Sequence, residues 1–99
     1  MKNPVDDLKK WFATKPAMLR PYDPIPKAEM LSAYNTWAAE NKVFPLTPIS
    51  FGIALTGLIP QIRTQQKHTK GGSFRTYVLP HSDYWKHLTE PSDMGEELL

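Results

Sequence analysis

The sequence predicts an α+β domain in which three helices precede a two-stranded β-hairpin, and three observations predict it. Apolar residues recur at helical spacing in three separate stretches as far as Leu58, after which polar and apolar residues alternate from Ile62 to Leu79. Prolines fall where helices start or stop, at Pro4, Pro26, Pro48 and Pro60. Gly71 and Gly72 interrupt the alternating region near its middle, as a tight turn would. The 99 residues suffice for one domain with a single two-layer core.

The first helix has Asn3 as its cap and Pro4 in its first position. It carries Asp6 and Asp7 in its first turn, where the helix dipole favours acids, and Val5, Leu8 and Phe12 on one face. The following AMLRPYDPIPK, preceded by Pro16, is too rich in proline for a helix and reads as an extended crossing with a short edge strand near Tyr22 to Ile25. From Pro26 the sequence PKAEMLSAYNTWAAENK sets Met30, Leu31, Tyr34, Trp37 and Ala38 at helical spacing, the strongest periodic signal in the chain. Thr47 followed by Pro48 is a cap and first-position pair that opens a third helix through about Leu58, and Pro60 ends it. QIRTQQKH and SFRTYVL then form the hairpin strands, joined at the glycine pair. His81 to Leu88 forms a closing helical turn or two capped by Ser82. Residues 1–90 are thus the domain, and 91–99 an acidic tail.

Trp11, Trp37 and Trp85 are expected in the core, because large aromatic side chains dominate small cores, with Trp37 buried between the second and third helices.

Net charge is only +2, but its distribution is uneven. Between Asn41 and Ser82 there is no Asp or Glu, while Lys42, Arg63, Lys67, Lys70 and Arg75 supply five positive charges. A central field of one sign suits a polyanion. Helix, extended crossing, helix, turn, helix and hairpin is the element order of a winged helix-turn-helix domain, which docks its helix pair on a duplex and lays the hairpin, or wing, along the backbone or an adjacent groove. On that reading Arg63, Lys67, His68, Lys70 and Arg75 are wing residues that meet phosphates, and the glycines let the backbone approach closely.

The stretch EMLSAYNTWAAENKVFPLTPISFGIAL, followed by a basic hairpin ending GGSFRTYVL, resembles the C-terminal winged-helix domain of phage and plasmid replication proteins of the primase-helicase type. The residues that carry the resemblance are Leu31, Tyr34 and Trp37 in the second helix, then Pro45, Leu46, Phe51, Gly52 and Leu55. Tyr34 stands one place nearer to Leu31 than the commonest family spacing. The resemblance extends over about residues 5 to 80. It implies recognition of repeated origin sequences to load a helicase, double-stranded DNA as partner, and the cytoplasm of a bacterial host cell as location.

The chain departs from that family in its third helix, TPISFGIALTGL, which has no charged residue where relatives carry Arg, Lys or Gln. At 100° per residue Phe51, Ala54, Leu55 and Leu58 form the core face, with Ile49, Ile53 and Thr56 opposite and Ser50 at the flank. Thr47, Ser50 and Thr56 offer hydroxyls, or methyl contacts to thymine, and Thr47 and Ser50 are the candidate base-contacting residues of this helix. Ile49 and Ile53 have two readings: cover by the first helix or the proline-rich crossing, or contact with a second copy in a homodimer. The second reading makes the whole chain a protein-interaction or dimerisation module, the alternative to DNA binding.

Other function classes find little support. No nucleophile, base and orienting group share a recognisable arrangement, and the acids occupy helix-start, helix-surface or tail contexts, so the expectation is a non-enzyme without a small-molecule substrate, whatever a longer parent protein does. With no cysteine, and with His68, His81 and His87 lacking metal-ligand spacing, neither a metal nor another cofactor is expected. The longest apolar run, Ile49 to Ile59, is broken by polar and glycine residues and is far short of the roughly 20 residues that cross a bilayer, so no membrane is expected as partner, and no secretion leader is recognisable.

Overall fold

The computed structural model describes residues 4–89. They form a small α+β domain with four helices and a three-stranded antiparallel sheet, in the order α1 (Pro4–Ala13), β1 (Pro24–Pro26), α2 (Lys27–Glu40), α3 (Pro48–Leu58), β2 (Arg63–Thr69), β3 (Gly72–Val78), a 3₁₀ turn (Ser82–Tyr84) and α4 (Lys86–Thr89). Asn3 and the acidic tail lie outside the described residues.

In α1, Leu8, Trp11 and Phe12 are buried and Val5 is half-buried, as an apolar stripe at helical spacing requires. Asp7 belongs to the same buried face, a departure from a simple first-turn charge. The edge strand forms at Pro24–Pro26, starting two residues later than expected because Tyr22 takes a left-handed conformation at φ 66°, and its prolines explain its place. Pro24 and Pro26 have no N–H to give, so β1 lies at the sheet edge in the order β1-β3-β2, with Ile25 opposite Tyr77.

Helix α2 buries Met30, Tyr34 and Ala38 and leaves Leu31 and Trp37 half-buried. This corrects the expectation for Trp37. Tyr34, 1% exposed, occupies the centre, edge-on to Trp11 and tilted against Trp37 and Phe51 at centroid separations of 5.8, 5.7 and 5.5 Å. Trp37 covers Tyr34 from the outside. The helix ends in a Schellman arrangement: Val43 N–H donates to the Ala38 carbonyl at 2.8 Å and Lys42 N–H to the Ala39 carbonyl at 3.4 Å. Lys42 takes the left-handed position there, φ 57°, that glycine usually fills.

Two hydrogen bonds fix the passage from α2 to α3. The Asn35 amide donates to the Leu46 carbonyl at 3.1 Å and accepts from the Leu46 N–H at 2.9 Å, pinning an otherwise irregular segment. Asn35→Ala removes both bonds and leaves a partly buried peptide unit unpaired, so the urea midpoint should fall by the equivalent of about 1–3 kcal/mol. An unchanged midpoint would mean that Pro45 and Pro48 alone set the passage.

Thr47 caps α3 as its sequence predicts, its Oγ1 accepting from Ser50 N–H at 3.2 Å. Phe51, Ala54 and Leu55 are buried, Leu58 is half-buried, and Ile59 closes the core just beyond the helix. Gly52 permits close approach to the sheet, since a Cβ there would lie 3.1 Å from the Tyr77 hydroxyl.

The hairpin forms with Thr69 opposite Gly72, so its loop is the two residues Lys70 and Gly71 rather than the glycine pair. Gly72 opens β3 at φ 134°, a conformation costly for any other residue. The final turn is capped by His81, whose Nδ1 accepts from Asp83 N–H at 3.1 Å, and not by Ser82. Trp85 is buried as expected, edge-on to Phe12 at 6.4 Å, with its indole N–H donating to the Pro80 carbonyl at 2.9 Å.

Candidate nucleic-acid interface

Side chains alternate across a strand, so register assigns each hairpin residue to a face. Arg75 is opposite Gln66, Ser73 opposite His68 and Tyr77 opposite Thr64. These six share the face on which Tyr77 packs toward α3, its ring 6.1 Å from that of Phe51. The Gln66 amide donates to Ser73 Oγ at 2.9 Å across this face. Arg63, Gln65 and Lys67 project from the reverse face, and Lys70 occupies the loop. The pleat therefore divides the basic residues: Arg75 and His68 toward α3, Arg63 and Lys67 away from it, Lys70 at the tip. Sequence alone put them on one hairpin without showing this division.

An open groove of about 1180 Å³ runs between the N-terminal part of α2, the outer face of α3 and the hairpin. Ile49, Ile53 and Thr56 line it from α3, Leu31 from α2, and Thr64 and Arg75 from the hairpin. Ile49 is 77% exposed and Ile53 70%, so neither α1 nor the proline-rich crossing covers them and the first of their two sequence readings is overturned. Lys27 enters from the start of α2 with its ammonium 4.7 Å from the Tyr77 ring centroid, and Glu29 is the one acid among the lining residues. Thr47 and Ser50 are exposed at the N-terminal end of α3. Thr47 already accepts one backbone hydrogen bond, which leaves its hydroxyl proton to donate outward.

Burial raises the Tyr77 phenol above its ordinary pKa of 10.0. Tyr34 is raised as well, by burial first and by the nearby Asp7 carboxylate second. Both hydroxyls are therefore neutral throughout the physiological range, and neither supplies charge to the groove. Among the described residues there is no cluster of three His, Asp or Glu suited to a metal ion, and no helix long and apolar enough to cross a membrane. His68 and Ser73 face one another in the register, but both are exposed near the loop, which gives a reacting group no shelter, and the hydrogen bond to Ser73 Oγ comes from the Gln66 amide.

Sequence reasoning found the cations, the cap and the outward isoleucines. It missed Asn35, whose hydrogen bonds hold α3 in place, and Lys27, whose position over Tyr77 depends on packing between α2 and β3. Asn35 stands among helix formers with no local sign that its partner is Leu46, 11 residues on. Compared with family models, characterised proteins and solved structures, the chain matches none.

Proposed function

We propose that this chain is a winged helix-turn-helix module that binds double-stranded DNA, with α3 addressing the major groove and the β2–β3 hairpin acting as the wing on the phosphate backbone. The observation that carries the proposal is that the exposed face of α3 and the Arg75 face of the hairpin line one groove. The α3 and hairpin walls of that groove come from a chain segment, residues 41–82, with five cations and no acid, and its α2 wall adds Lys27 and Glu29. The element order and the strand order β1-β3-β2 are compatible with such a module. The family resemblance extends the proposal to the repeated sites of a replication origin.

A salt titration with duplex DNA tests it. Binding should weaken with a log–log slope of about 0.9 for each phosphate neutralised, and a flat response would reject it. Selection of fragments from the replicon that carries the gene should recover repeats clustered in one segment; scattered sites would remove the origin assignment and leave DNA binding standing.

The exposure of Ile49 and Ile53 also favours a second reading, in which α3 is a dimerisation or protein-binding surface. That reading predicts concentration-dependent self-association that persists in high salt and is lost in Ile53→Asp.

A further inference from the structure

The outer face of α3 presents Ile49, Ile53 and Thr56 at i, i+4 and i+7, with no charged or amide side chain anywhere on the helix. At about 1.5 Å per residue these positions span about 10 Å, close to three base-pair steps of about 3.4 Å each. A helix of this composition cannot read the major groove by paired hydrogen bonds. It would cover the O6 and N7 acceptors of guanine and leave them without partners, which is unfavourable. Thymine is the one base that presents a methyl group in that groove. Ile49 and Ile53 differ by four residues, about 6 Å along the axis, which suits methyls on neighbouring or next-neighbouring pairs.

Resting on the DNA-binding reading above, we infer that α3 reads thymine 5-methyl groups through Ile49 and Ile53, so that the module selects sites with closely spaced thymines. The occupant of this apolar face is set by the charges at its border. Lys27 and Arg75 line the same groove against one acid, Glu29, Lys70 stands at the hairpin loop, and among the described residues neither Lys27 nor Arg75 makes an ion pair, so the border is net positive. An apolar strip bordered by unneutralised cations complements a base-pair surface bordered by phosphates.

Removal of the methyl groups alone tests the inference. Duplexes selected from a random pool by the full chain are copied with deoxyuridine in place of thymidine, which preserves every hydrogen bond and every phosphate. Each methyl that packs against an isoleucine is worth about fourfold in affinity, so two contacts make the uracil copies about 15-fold weaker at an unchanged salt slope. The double variant Ile49→Ala, Ile53→Ala, altered only at exposed positions, should bind thymine and uracil copies equally and retain the slope. If the parent protein binds both copies equally with a steep salt dependence, methyl readout is wrong and DNA binding stands. Should duplex binding be absent or insensitive to salt, with a dimer that the double variant dissociates, the DNA reading falls too and the face joins two copies of the chain.

Discussion

Phe51→Ala is expected to lower the unfolding free energy by about 3–5 kcal/mol, a large part of the roughly 5–15 kcal/mol available to a domain of this size. Phe51 is 1% exposed and its ring meets those of Trp11, Tyr34 and Tyr77, so one side chain ties α3 to α1, α2 and the sheet. Truncation leaves a cavity bounded by rigid rings on different elements, which cannot close by moving one of them. Trp37→Ala is the internal comparison. Trp37 is larger but only half-buried, and its loss removes a cover from Tyr34 without opening the centre, so it should cost only about 1–2 kcal/mol. Denaturant titration of both variants decides the matter: a greater loss from Trp37→Ala than from Phe51→Ala would mean that the aromatic centre lies on the other side of α2.

The same pair shows where the sequence was legible. Periodicity identified α2 and its apolar stripe, but a stripe of Met30, Leu31, Tyr34, Trp37 and Ala38 is wider than the contact it makes. Which member lies deepest depends on the helices that pack against it, α1 and α3: Trp37, expected to be buried between α2 and α3, is half-buried, and Tyr34 lies inside it. Element boundaries marked by local chemistry were readable to the residue, as at Thr47 and Pro48, because a cap is a contact between near neighbours. The closing turn was less readable because His81, not usually a cap, does the work expected of Ser82. The candidate interface divides the same way. The composition of α3 and the hairpin was plain from the sequence. The groove between them was not, because it depends on the register that turns Arg75 toward α3 and Lys67 away from it.

That division sets the second large effect. Lys70→Ala with Arg75→Ala should flatten the salt slope of duplex binding by about two and weaken binding at low salt by at least tenfold, on matched and random sequences together. Lys70 is in the exposed loop and Arg75 on the groove side, so under the proposed docking of α3 both would face phosphates flanking the major groove. Arg63→Ala with Lys67→Ala removes the same formal charge from the reverse face. Lys67 is half-buried there, and under the proposed docking both side chains face away from the duplex across the hairpin, where they neutralise no phosphate directly, so this pair should change the slope by about one or less. None of the four residues belongs to the core or makes an ion pair among the described residues, so both variants should melt like the parent. Equal effects of the two pairs would show that the hairpin enters a groove edge-on, with phosphates on both of its faces. Two unchanged slopes would remove the hairpin from the interface altogether and leave α3 to meet its partner without it.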